Sequence, residues 1–233
     1  MKDKKLYTIP KKSNATKADY IHFEKMNERF LKYSKEQLEC GSDLTKISTK
    51  YKDLTDKGPE SDYWRKHCYT EFYGPLLSHL KNEPINILEV GVRWGGSLLS
   101  WSDFFPNAKI TGLDINLNQM SKATKNEVDK RGIKTIAGNA YCNKFFSQHI
   151  GDEKFDLILD DGSHREVDQI KFFNLYKNAL KKGGYLICED FPTEQQARNV
   201  ISAFDGKINN ISLIIRNHCI PSTKGEIIVM YKE

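Results

Sequence analysis

Between residues 85 and 114 the chain reads INILEVGVRWGGSLLSWSDFFPNAKITGLD, and this stretch leaves few folds open. Ile85, Ile87, Leu88 and Val90 form a short apolar run of the kind found in strands buried on both faces. Gly91 follows at once, and Gly95, Gly96 and Ser97 open a segment that carries Leu98, Leu99, Trp101, Phe104 and Phe105 at helical spacing. A second apolar run, 110–113, ends at Asp114. Strand, glycine turn, helix, strand and acid together are the opening unit of a parallel α/β sheet with helices on its faces.

That unit also constrains a ligand. Gly91, Gly95 and Gly96 let the backbone turn sharply and let a ligand approach where a Cβ would intrude. An acid at the tip of the second strand can accept two hydrogen bonds from a ribose diol, and Asp114 follows Gly91 by 23 positions, near the usual separation of about 20. The glycines are not in the G-x-G-x-x-G spacing of a pyrophosphate cradle, because Val92, Arg93 and Trp94 stand between them. Glu89, at the end of the first strand, repels phosphate and suits an ammonium group. A ligand with a ribose and an amino acid but no diphosphate is S-adenosylmethionine (SAM).

The rest of the chain repeats the alternation. A helix is expected over 63–81, capped by Asp62, with Phe72, Leu76, Leu77 and Leu80 facing the core. Tyr63, Trp64, Tyr69 and Tyr73 on it are either core or pocket lining. Further expectations are a surface helix over 120–130 closed by Gly132, a strand over 133–137, a short helix over 145–150 and a fourth strand over 155–159. A helix over 166–180 is expected to stop at Lys181-Lys182-Gly183-Gly184, before a fifth strand over 185–188 and a helix over 193–204. Apolar runs 208–215 and 226–231 suggest a terminal antiparallel pair. Every acid of interest then follows a strand: Glu89, Asp114, Asp160, Asp161, Glu189 and Asp190. In open α/β sheets ligands bind at the carboxyl ends of the strands. Two acidic pairs on neighbouring tips, with His164 three residues after Asp161, point to a hard divalent cation held by oxygen. No His/Cys quartet has zinc spacing.

The segments LEVGVRWGGSL (88–98), FFPNAKITGLDI (104–115), LDDGSH (159–164) and CEDF (188–191) resemble class I SAM-dependent methyltransferases. More narrowly they resemble the metal-dependent sugar O-methyltransferases of macrolide and rhamnosyl natural products, over roughly residues 55–233. The resemblance implies a Rossmann-like fold with a seven-stranded, mostly parallel sheet flanked by helices, preceded by an N-terminal helical extension. It implies SAM bound by Glu89, Gly91, Ser97, Asp114, Asn139, Ala140 and Asp160. Asn139 would meet the adenine amino group and Asp160 the methionine end. Asp161, Glu189 and Asp190 match the metal acids, for Mg²⁺ or another hard divalent ion, and His164 matches the general base. The implied acceptor is a hydroxyl of a sugar or glycan. A similar T-D-K-G segment, here Thr55, Asp56, Lys57 and Gly58, lies near the active site in that family, often followed by a Thr and a His. In this chain Pro59, Glu60, Ser61 and Asp62 follow instead, so the segment reads either as an ordered loop or as a lid with Lys57 in contact. His67, His79, His149 and His218 lack acidic company in the sequence and are assigned to structure. Competing readings are a catechol-type O-methyltransferase, a nucleotide-binding oxidoreductase and a non-catalytic interaction module on the same fold.

Composition settles the setting. Residues 1–50 hold 12 Lys+Arg against 7 Asp+Glu, which accounts for the whole net charge of +5. This lysine-rich arm, with a helical stripe at Tyr20, Phe23, Met26, Phe30 and Leu31, is taken as one region and residues 51–233 as the α/β domain. The stripe must bury against the domain or against a second subunit, so a homo-oligomer is one expectation. Arg and aromatic residues do not interleave in the arm, and a nucleic-acid partner is not expected. No apolar run approaches the roughly 18–20 residues of a membrane span, and the N-terminus has no apolar signal region. Five cysteines without a CxxC pair suit a reduced compartment, so a cytoplasmic location is expected.

Overall fold

The computed structural model describes residues 42–58, 67, 69–207, 210–216 and 226–233. The stripe from Tyr20 to Leu31, the Asp62 cap, Tyr63, Trp64, Cys40, Cys68, Cys219 and His218 lie outside them. Seven strands form one sheet: β1 (Asn86–Val90), β2 (Lys109–Asp114), β3 (Lys134–Ala137), β4 (Phe155–Asp160), β5 (Leu180–Cys188), β6 (Ile211–Arg216) and β7 (Glu226–Lys232). Their order is β3-β2-β1-β4-β5-β7-β6. The first five are parallel, and β7 runs antiparallel to both β5 and β6. This is the expected seven-stranded, mostly parallel sheet with a terminal antiparallel pair.

Period-two alternation divides the core between the two faces of the sheet. Ile87, Leu157, Leu159, Ile187 and Ile228 pack with Leu98, Trp101, Phe104 and Tyr73 on one side. Leu88, Ile158, Leu186, Leu213 and Val229 pack with Phe172, Phe173, Tyr176, Val200 and Ile201 on the other. The helices on the first side are α1 (Asp43–Thr49), α2 (Thr70–Leu77) and α3 (Gly96–Phe104), and α4 (Lys122–Lys130) abuts α3. The second side carries α5 (Asn143–His149), α6 (Glu166–Tyr176) and α7 (Glu194–Ala203).

Several expectations are corrected. Residues 43–49, assigned to the lysine-rich arm with no helix of their own, form α1. Ser42 caps it by accepting from Thr45 N, and Leu44 is fully buried in the core. Leu44 thus packs in the same core as Ile87 and Leu98. The helix expected over 63–81 is, in its described part, α2 from Thr70 followed by a 3₁₀ turn at Ser78–Leu80, with Pro75 inside α2. The helix expected to reach residue 180 ends at Tyr176, and a 3₁₀ turn at Lys177–Ala179 follows. Lys181-Lys182-Gly183-Gly184 is not a helix stop. Phe155 pairs with Leu180 but Leu157 pairs with Tyr185, so the four residues bulge within β5, and Gly183 turns at φ +80°.

Sheet register fixes the site. Val90 pairs with Leu113 on one side and with Asp160 on the other, and Asp160 pairs with Cys188. The tips of β2, β1, β4 and β5 are therefore level. The strand order reverses direction between β1 and β4, and a crevice opens where the connections diverge.

Candidate active site

A cavity of about 500 Å³ lies at those tips. Gly91, Ser97, Asp114, Asn139 and Ala140 line one part of it, and Asp56, Lys57, Asp161, His164 and Asp190 line the other.

On the first side, Gly91 sits at φ +84°, and a Cβ there would lie 2.1 Å from the backbone oxygen of Asp161. Only glycine lets the turn after β1 pass under the turn after β4. Asp114 is 9% exposed and accepts from three backbone amides: Val92 N at 2.9 Å, Arg93 N at 2.8 Å and Asn116 N at 2.9 Å. It thereby ties the glycine turn to the tip of β2, and its carboxylate still faces the cavity. Arg93, itself at φ +43°, lays its guanidinium 3.6 Å above the Trp94 ring. Asn139 is exposed in the cavity and accepts from Tyr141 N through Oδ1 at 3.0 Å.

Glu89 and Asp160, both expected at SAM, do not line the cavity. Asp160 is buried, accepting from the Tyr141 hydroxyl at 2.7 Å and from Gly162 N at 3.2 Å, with Cys188 Sγ at 3.5 Å. Burial pushes its carboxyl up to about 6. Glu89 is fully buried, and neither of its oxygens has a hydrogen-bond partner. Burial raises it to about 7, against the pull of Lys57.

On the second side, Asp161, His164 and Asp190 each place one ligand atom within 4.8 Å of the others. His164 Nε2 lies 4.0 Å from Asp161 Oδ1 and 3.9 Å from Asp190 Oδ2. Both turns are strained: His164 has φ +54° and Asp190 φ +55°. Gln196 Nε2 donates to the His164 carbonyl at 2.8 Å, while Asp168 accepts from the Ser163 hydroxyl and from Arg165. Those contacts hold the turn that presents the imidazole. Glu189, expected with Asp161 and Asp190, is fully buried and outside the cavity lining. It accepts from Lys57 Nζ at 2.6 Å and from the Tyr73 hydroxyl.

Sequence reasoning missed the groups that hold Asp190. His67, assigned to structure, stacks on Tyr69 and puts Nδ1 3.5 Å from Asp190 Oδ1. The Tyr69 hydroxyl donates to the Asp190 carboxylate. The segment with Thr55, Asp56 and Lys57 reaches the strand tips because Gly96 has no Cβ: one there would lie 2.5 Å from the Leu54 carbonyl. His67 N donates to Asp56 O at 2.9 Å, and Thr70 N to Lys57 O at 3.1 Å. His67 is thus brought back beside Asp56 and Lys57.

A family model described as a methyltransferase domain matches residues 86–221. A mycinamicin VI 2''-O-methyltransferase from Micromonospora griseorubida is 32% identical over 167 residues, 66% of this chain and 38% of that protein. An 8-demethyl-8-(2-methoxy-alpha-L-rhamnosyl)-tetracenomycin-C 3'-O-methyltransferase from Streptomyces olivaceus is 30% identical over 143 residues, 57% of this chain and 35% of that one. The chain thus spans little more than a third of the length of these relatives. The solved MycE methyltransferase of the mycinamycin pathway, a complex with Mg and SAH, superposes with a TM-score of 0.58 at 26% identity, covering 82% of this chain and 54% of its own. Level strand tips, a glycine turn tied to the acid of β2 and the 136 matched residues agree: this chain belongs to the methyltransferase-domain family and has the class I methyltransferase fold.

Proposed function

We propose that this protein transfers a methyl group from SAM to a hydroxyl of a sugar or glycan, with a divalent cation at the tips of β4 and β5. The observation that carries the reading is one cavity with a glycine turn and Asp114 at one end and Asp161, His164 and Asp190 at the other. The donor set fits a hard cation, being mainly carboxylate oxygen at a cavity wall. Asp161 and Asp190 would hold it, with Glu189 behind them as the third acid. Bound there, SAM supplies an electrophilic methyl group, and the cation supplies Lewis acidity to a neighbouring hydroxyl.

The chain's own residues do the rest. Asp114 orients the nucleoside through its ribose, and the Gly91 turn brings backbone close to the ligand. Asn139 and Ala140 border the base. His164 Nε2 faces the cavity between two carboxylates, where it takes the proton of the acceptor hydroxyl, and Asp161 and Asp190 stabilise the imidazolium that forms. A sugar hydroxyl is a weak acid, so a base held in place is worth about 10²–10⁴-fold. The sugar is favoured as acceptor by the two relatives named above, both of which are O-methyltransferases of glycosylated compounds. Among the described residues no helix is long and apolar enough to cross a membrane, and Cys142 and Cys188 are free thiols. A cytoplasmic location belongs to the same proposal.

The test is mass spectrometry of glycosylated acceptors incubated with SAM. EDTA should abolish methylation and Mg²⁺ restore it, while calorimetry shows S-adenosylhomocysteine still binding. Full turnover in EDTA would reduce the acids to ordinary polar turns. His164→Ala should keep cofactor binding and lose about 10²–10⁴-fold in rate; wild-type speed in that variant would assign proton removal elsewhere.

A further inference from the structure

The site contains a cation of its own. The Lys57 ammonium lies 2.6 Å from Glu189 Oε2, 2.8 Å from Asp161 Oδ2 and 3.8 Å from Glu89 Oε1, and its side chain is 4% exposed. A lysine so deeply buried persists only when paired. Burial works against its charge, yet Asp161, Glu189 and Glu89 outweigh that and keep it protonated. Two of its partners are acids on which the divalent cation is proposed to depend. Glu189 has its second oxygen on the Tyr73 hydroxyl, so neither oxygen is available while Lys57 stays. Asp161 is divided, Oδ2 towards Lys57 and Oδ1 towards His164. A divalent ion needs direct oxygen contacts at about 2.0–2.6 Å. An ammonium group on the same oxygens blocks those contacts and repels the ion.

We propose that Lys57 is a resident cation that competes with the divalent ion for Asp161 and Glu189, so that loading the ion displaces the ammonium group. This rests on the metal-dependent reading above. The displacement has a structural consequence, because Lys57 belongs to a wall of the cofactor cavity that includes Leu54, Thr55 and Asp56. Leu54 is pressed onto Gly96, the first residue of α3. Moving Lys57 therefore moves a surface that the cofactor also uses, and by linkage each ligand then alters the affinity of the other.

The experiment measures Mn²⁺ binding to the cofactor-free protein by electron spin resonance and calorimetry. Lys57→Met, of similar length and without charge, should bind Mn²⁺ at least about tenfold more tightly than wild type. Removing Lys57 leaves three acids, two of them fully buried, without their counter-ion, so Lys57→Met/Glu89→Gln is measured beside it, and the same tightening is expected in whichever variant keeps the wild-type circular dichroism. Equal or weaker Mn²⁺ affinity in a folded variant overturns the competition and leaves the metal site standing. Absence of Mn²⁺ binding in wild type and variants alike removes the competition and the metal reading together. Binding by the variant alone supports the competition in its strongest form.

Discussion

Single side chains set the chemistry, and two of them give direct tests. Asp114 serves the glycine turn through Val92 N and Arg93 N, and it faces the cavity as well. Asp114→Ala should weaken SAM binding by about 1.5–3 kcal/mol, the range for losing charged hydrogen bonds, as titration calorimetry would report. Unchanged affinity would place the ribose elsewhere. Glu89 is a carboxyl buried without hydrogen-bond partners and raised to about 7. An acid with a raised folded value binds its proton more readily when folded, so its charged form costs stability at high pH. That cost is relieved as pH falls through about 7 and is gone near the unfolded value of about 4.5. Glu89 alone thus makes the ligand-free protein less stable at pH 8 than at pH 5 by about 3 kcal/mol. Glu89→Gln should flatten this part of the profile in urea titrations at the two pH values; an unchanged slope would assign it to Asp160 or Glu189. Of the residues named from their place after a strand, Asp114, Asp161, His164 and Asp190 reach the cavity, whereas Glu89, Asp160 and Glu189 are buried outside its lining. Lys57 was seen only as a contact of a lid, and His67 was assigned to structure. Lys57 meets Asp161 across 104 positions and Glu189 across 132, and such pairings leave no local pattern.

At the scale of elements, the turns after β1 and β4 lock into each other. Gly91 has φ +84° and lies under the Asp161 carbonyl, so Gly91→Ala carries both a left-handed backbone and a clash. The backbone alone costs about 1–2 kcal/mol. The larger effect should fall on Asp161, so weakened Mn²⁺ binding is expected together with a lower urea midpoint; a lower midpoint with unchanged Mn²⁺ affinity would show that the two turns move independently. Alternation and punctuation made most elements readable, including α7, which Thr193 caps as a helix start should be capped. They failed where pairing overrode local signals. Lys181-Lys182-Gly183-Gly184 has the residues of a helix end, yet Leu180 is claimed by Phe155 across the sheet. The seven residues of α1 are too polar and too few to show a period, and Leu44 and Ile47 do the apolar packing.

For the whole molecule, α1 is part of the packed core. Leu44 is fully buried among the residues of α2 and α3. Leu44→Ala should destabilise the protein by about 2–5 kcal/mol, and a chain shortened to begin at Tyr51 should lose at least as much. Thermal unfolding of the shortened chain at the wild-type temperature would instead leave α1 a mere attachment. The same region has another consequence. Two backbone bonds, His67 N to Asp56 O and Thr70 N to Lys57 O, tie Asp56 and Lys57 of the cavity lining to the start of α2, which packs in the core. Whatever loosens α2 therefore loosens the cavity at Asp56 and Lys57 as well, as a shelf drops when its bracket works free.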